Sequence, residues 1–199
     1  MFEYLVIRNR MLVEKSLLID CQNNKRRAQF ELYHKCFGVL MSICLRYQRN
    51  SIDAEELLNM GFLKIVTKLD KYNHDIPFEA WIRRIMINTI IDEFRKNKKA
   101  KALIEYTDFN GVHESKSVTY NEADLHFEAE ELELMIQNLP PVSQKVFNMH
   151  VLDGFSHKEI AEKMEISVGT SKWHVSNARK LLRGMIEEVK TTTKYYTNA

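Results

Sequence analysis

Two sets of side chains fall at helical spacing and carry the chemistry of nucleic-acid contact. Near the C-terminal end, Lys172, Trp173, Ser176, Asn177, Arg179 and Lys180 occupy one face of a helical stretch. An asparagine amide such as that of Asn177 can make paired hydrogen bonds to adenine, and Lys172 can reach guanine. Arg179, Lys180 and Thr170 suit phosphate oxygens, which position a protein without reading sequence. In the first half, Arg84, Asn88 and Asp92 step by four and Arg95 follows by three, forming a second polar line. Arg83 and the run Arg95, Lys96, Lys98, Lys99 and Lys101 add positive charge beside it, and phosphate neutralisation there would make binding fall steeply with salt. Just upstream, residues 70–77 hold Asn73, His74 and Asp75 between aromatic residues. Tyr72, Phe78 and Trp81 could stack on unpaired bases, although the helical spacing of Phe78 and Trp81 favours packing into a core.

Catalysis lacks its parts. No serine or tyrosine has an evident activating base, and the nearest carboxylate pair, Asp53 with Glu56, lies along one helix. The three cysteines, Cys21, Cys36 and Cys44, match no zinc pattern. Their odd number argues against a disulfide framework, so buried thiols on helices are expected. His34 beside Cys36 lacks two further ligands at suitable spacing. No enzyme activity, metal or cofactor is expected.

The elements that must position these groups are helices. Glycine and proline are scarce, and apolar residues recur at steps of three to five. Ala28, Leu32, Phe37, Leu40, Met41 and Cys44 mark one helix ending near residue 49. Ser51 or Asp53 can cap a second, with the stripe Leu57, Leu58, Phe62, Ile65, Val66 and Leu69. Pro77 disfavours helix at Ile76. A third helix is expected from about Phe78 to Lys96, with Trp81, Ile82, Ile85 and Met86 inward. Pro140 and Pro141 suit the first turn of a helix reaching about Leu152, which Asp153-Gly154 ends. Ser156 and Glu159 form a capping box for a short helix. Glu165-Ile166 makes a turn, and Ser167 can cap the last helix, whose inward stripe is Val168, Ser171, Val175, Ala178 and Leu182. Two capped helices around a tight turn read as a helix-turn-helix. Ala161 and Gly169 are expected to let its helices approach closely.

Charge divides the chain in three. The overall balance of +2 splits into +6 over residues 1–105, −7 over residues 106–138 and +3 over residues 139–199. Two basic folded units flank an acidic segment, as expected of polyanion contact at both ends. Charged residues interrupt the apolar patches near the N-terminus. No signal-peptide core or span of about 20 apolar residues is formed, so a cytoplasmic protein without membrane insertion is expected.

On these residues alone, three readings stand: a subunit that lends promoter recognition, an independent helix-turn-helix regulator, and a DNA-processing enzyme. A wider pattern separates them. Arg46-Tyr47, residues 53–58, residues 77–85, residues 88–92 and Arg95 in the first half resemble the sigma factors of bacterial RNA polymerase, in particular the small extracytoplasmic-function group. So do Leu139-Pro140, residues 154–156, residues 159–161, residues 166–170 and Ala178-Arg179 in the second. The resemblance covers residues 21–183. It implies an all-α fold of two small helical domains joined by an acidic linker. Residues 1–19 form an N-terminal extension, 20–104 the region 2 bundle, 105–134 the linker, 135–190 the region 4 helix-turn-helix and 191–199 a tail.

The resemblance also implies roles. Asp53, Glu56, Asn59, Phe62 and Leu63 would dock on the clamp helices of the polymerase β′ subunit. Tyr72, Asn73, His74, Arg83, Arg84, Asn88, Asp92 and Arg95 would hold the melted −10 strand. Thr170, Lys172, Trp173, Ser176, Asn177, Arg179 and Lys180 would read the −35 duplex. The partners implied are RNA polymerase core, including the β flap, and promoter DNA. An anti-sigma factor is a further partner of many small members. The acidic linker would lie in the channel later used by RNA.

Overall fold

In the computed structural model, residues 13–48, 50–104 and 129–197 are described. They are helical, with no strand among them. The chain divides into two compact units at Lys96 and Asn97, each described by itself.

The first unit is built on four helices, α1 (Lys15–Gln22), α2 (Arg26–Tyr47), α3 (Ser51–Thr67) and α4 (Phe78–Ile104). Leu32, Leu40, Ile43 and Cys44 of α2 are fully buried, as are Ala54, Leu58 and Ile65 of α3 and Ile82 and Met86 of α4. Each set repeats at three- and four-residue steps, so each helix buries one stripe. α1 lies outside the sequence expectation. Its Leu18 and Cys21 are buried, so the boundary drawn at residue 20 cuts through a packed helix. Asn24, at φ 58°, turns the chain from α1 into α2, a left-handed position that asparagine tolerates.

Three local expectations need correction. The cap of α3 is Asn50, whose side-chain oxygen accepts from the Ile52 N–H at 2.9 Å. Ser51 and Asp53 are already helical, and Asp53 instead places its negative charge at the positive end of the helix. Trp81 and Ile85 keep part of their surface open, while Ile87, Ile90 and Ile91 complete the inner face of α4. Phe37 is exposed at the rim of α2.

One close helix contact lies outside the sequence expectation. A Cβ on Gly61 of α3 would sit 2.7 Å from Met86 Cε of α4 and meet Met86 Sδ as well. Glycine leaves the Met86 thioether room to lie against α3.

The second unit comprises α5 (Ala129–Gln137), α6 (Pro141–Phe147), α7 (His157–Met164) and α8 (Val168–Thr197). Pro141 takes the first position of α6. The helix then widens into a π turn, Asn148–Leu152, and Gly154 leaves it at φ 73°. Met135, Ile136, Leu139, Phe147, Ala178 and Leu182 form one apolar cluster.

The capping box of α7 is present. Ser156 Oγ accepts from the Glu159 N–H at 3.2 Å, and Glu159 accepts from the Ser156 N–H at 3.0 Å. Glu165, left-handed at φ 55°, makes the turn, and Ser167 Oγ accepts from the Thr170 N–H at 2.9 Å. Ser171, Val175, Ala178 and Leu182 are buried as expected, but Val168 is 41% exposed because it stands at the first turn, before α8 meets α7. Ala161 is partly buried. A Cβ on Gly169 would meet nothing closer than Ser167 Oγ at 3.6 Å, so that position is not the close approach expected of it.

Residues 1–12, most of the acidic linker, and Leu125 lie outside the described residues. From Ala129 the linker's last residues already belong to α5, and α8 continues helically through the segment read as a tail.

Candidate nucleic-acid interface

The loop between α3 and α4 holds itself in shape. A short 3-10 turn, Leu69–Lys71, closes α3. The Tyr72 hydroxyl donates to the Ile76 carbonyl at 2.7 Å, and Asn73 Oδ1 accepts from the Asp75 N–H at 3.0 Å. The Tyr72 ring meets His74, Phe78 and Trp81 with centroids 4.8, 5.2 and 5.1 Å away. Phe78 is buried, which settles it as core. Tyr72 and Trp81 are half-buried, leaving aromatic surface at the loop, while Asn73 and His74 are exposed.

The polar line of α4 begins beside this loop. Arg84 and Asp92 are exposed, and Asn88 and Arg95 are partly buried between them. Asn88 Oδ1 is shielded and has no hydrogen-bond partner, an arrangement that costs about 1–3 kcal/mol unless a donor arrives. Arg83 is less available than sequence suggested: its guanidinium is held by Glu79, one turn back, at 2.6 and 3.0 Å. Asp92 faces Lys64 of α3 at 3.6 Å.

The outer face of α3 mixes acid and hydrocarbon. Asp53, Glu56 and Asn59 are exposed, and Leu63 is 64% exposed. Phe62 is half-buried under the edge of the Tyr33 ring, whose centroid lies 5.0 Å away. The Tyr33 hydroxyl donates to Asn59 Oδ1 at 3.0 Å. Ile52, 73% exposed, extends this face but was absent from the expected set. So were Phe30 and Phe37, which stand out from α2; the periodicity of Phe37 read as core.

In the second unit α8 presents the expected side chains together. Lys172, Trp173, Ser176, Arg179 and Lys180 are exposed and Asn177 is partly so, while the buried stripe holds the opposite side against α7 and α6. Trp173 packs edge-on against His174, with centroids 4.9 Å apart, which steadies its ring at the surface. Thr170 is partly buried and its hydroxyl lies 2.8 Å from Ser167 Oγ. It is therefore tied into the cap. Among the described residues no cluster of side chains could hold a metal ion.

A helical bundle with a self-braced aromatic loop, and a helix-turn-helix with a cationic, amide-bearing outer face, define a two-part DNA-binding protein. The family follows from comparison. Residues 32–100 match the model for sigma-70 region 2 and residues 129–182 the model for sigma-70 region 4. The chain is 30% identical over 133 residues to the RNA polymerase sigma factor SigZ of Bacillus subtilis, covering 67% of this chain and 72% of that one. It is 25% identical over 184 residues to the extracytoplasmic-function (ECF) sigma-E factor of Salmonella typhimurium, covering 88% and 95%. Among solved structures, the sigma factor RpoE in complex with the anti-sigma factor NepR from Bartonella quintana aligns with a TM-score of 0.47 and 18% identity, over 79% of this chain and 97% of that one. The chain belongs to the sigma-70 family, in its extracytoplasmic-function group, and is a transcription initiation factor. No described helix is long and apolar enough to cross a membrane.

Proposed function

We propose that this sigma factor grips promoter DNA at two places and polymerase core at a third. α8 reads the −35 element as duplex through Asn177, Lys172, Trp173 and Ser176, with Thr170, Arg179 and Lys180 on phosphates. The loop at residues 72–76 and the line Arg84, Asn88, Asp92 and Arg95 hold unpaired bases of the −10 element, with Tyr72 and Trp81 as stacking surface and Arg83 adding charge nearby. Asp53, Glu56, Asn59, Phe62 and Leu63 of α3 dock on the β′ clamp helices, and the second unit meets the β flap. The protein acts as a non-catalytic specificity subunit in the cytoplasm. An anti-sigma factor that covers the α3 face would silence it.

The observation that carries the single-strand role is Asn88 Oδ1. A shielded acceptor without a donor is unfavourable in the free protein. A small rotation of this half-exposed amide toward the surface relieves it once a base supplies an N–H. Duplex DNA keeps the ring N–H donors of guanine and thymine paired; melted DNA offers them.

The function is tested by mixing the protein with polymerase core and a promoter library and sequencing the transcripts. Initiation confined to one promoter class is expected, and its absence with folded protein would overturn the reading. Asn88→Ala is expected to slow open-complex formation about tenfold, equivalent to about 1.4 kcal/mol, while leaving capture of closed duplex within about twofold. Equal loss of both would remove the single-strand role.

A further inference from the structure

The helix-turn-helix contains a pair of imidazoles that DNA contact does not use. His150 belongs to the π turn after α6, and His157 is the first residue of α7. Their rings stack with centroids 4.0 Å apart and planes 26° from parallel. His150 Nδ1 lies 2.8 Å from the Phe155 carbonyl oxygen. A carbonyl only accepts, so Nδ1 carries the hydrogen and the neutral ring keeps its lone pair on Nε2. On the other side, His157 Nδ1 lies 3.0 Å from Ser171 Oγ, and Ser171 is fully buried on α8. One series of contacts therefore joins the π turn, the start of α7 and the buried side of α8.

The charges around this series point one way. Burial holds His157 below its ordinary value of 6.5, and His150, Lys172 and Arg179 push in the same direction. Lys172 and Arg179 come from α8, and His150 from the π turn. Also from α8, His174 meets Ser143 of α6 at 2.9 Å, and α6 carries the buried Lys145. On α7 itself, Lys158 follows His157, and Glu159 is occupied by the capping box. Charge on both rings would set two imidazolium rings face to face.

We propose that the His150–His157 stack is an acid-released latch, clamping α7 to α8 while at most one ring is charged and letting go when both are. The sign follows from linkage. A histidine held neutral by the fold contributes stability above its unfolded pKa, and that contribution is lost as pH falls below about 6.5. Acid thus loosens the helix-turn-helix. The consequence for −35 reading rests on the function proposed above; the latch itself does not.

The test uses the full chain carrying Trp81→Phe, so that Trp173 alone reports urea unfolding of the second unit. Between about pH 7.5 and about pH 5.5 the unfolding constant is expected to rise up to about tenfold more in this parent than in its His157→Gln derivative. Glutamine can still bond to Ser171 and takes up no proton. An equal response in both would overturn the latch. Should His157→Gln unfold already at neutral pH, His150→Phe keeps a stacked ring without its charge. The acid response is then expected to shrink, and an undiminished response would overturn the proposal. Because neither readout involves DNA or polymerase, failure here is distinct from failure of the promoter reading.

Discussion

Asn177 is the amide proposed to decide a base preference, and it sits partly buried on α8 beside the exposed Trp173 and Lys172. Asn177→Ala is expected to relax choice at one −35 position by about 1–3 kcal/mol, read from promoter-library frequencies with the variant. An unchanged preference would place the base-facing side elsewhere on α8. Cysteine chemistry is decided at the same scale. Burial pushes Cys36 and Cys44 up to about 12 from an ordinary value of 9.0, leaving almost no thiolate at neutral pH. Both thiols should resist a thiol reagent at about pH 8 until urea unfolds the first unit. A group whose pKa is raised by folding stabilises the fold below its unfolded value. Stability should therefore fall as pH climbs from about 9 toward about 12, measured by urea midpoints; a flat alkaline profile would contradict this.

At the scale of elements, the crossing of α3 and α4 matters most, because it holds together the two faces proposed for polymerase docking and for the −10 strand. Gly61 permits it by lacking a Cβ where Met86 would be struck. Gly61→Val should lower the stability of the first unit by about 1–3 kcal/mol through overpacking. Gly61→Ala should cost less, because alanine regains up to about 1 kcal/mol of helix propensity and the Met86 thioether can shift. Chemical denaturation of the two variants distinguishes these outcomes, and a Val variant as stable as the parent would remove the close contact. The helix-turn-helix depends instead on caps: Ser156 with Glu159 at the start of α7, and Ser167 with Thr170 at the start of α8. Each satisfies N–H groups that helix ends otherwise leave open.

For the whole molecule, charge order matters more than net charge. Basic segments flank an acidic one, with balances of +6, −7 and +3 along the chain. An acidic segment tethered between basic ones is expected to lower the attraction of the free protein for any duplex. Replacing Asp108, Glu114, Glu122, Asp124 and Glu128 by their amides should raise non-specific duplex affinity several-fold at low salt. The gain should vanish as salt screens it, which a binding titration across ionic strengths would show. An effect of equal size at all salt concentrations would mean that charge is not its cause.

Much of this was determined by sequence alone. The caps of α7 and α8 and the turn at Glu165 depend on contacts within a few residues, so type and spacing suffice to place them. The polar lines on α4 and α8 follow from helical period once the helices are known. Tertiary structure decided what depends on partners distant in the chain. Gly61 is special only because Met86 arrives 25 residues later, whereas Gly169, a small residue in a suggestive place, meets no such neighbour. Phe37 follows the core period yet stands exposed on α2. Arg83 turned back to Glu79, and Asn88 was left with a shielded oxygen and no donor. Period says which side chains share a face; only packing says which of them are covered, paired or left waiting for a ligand.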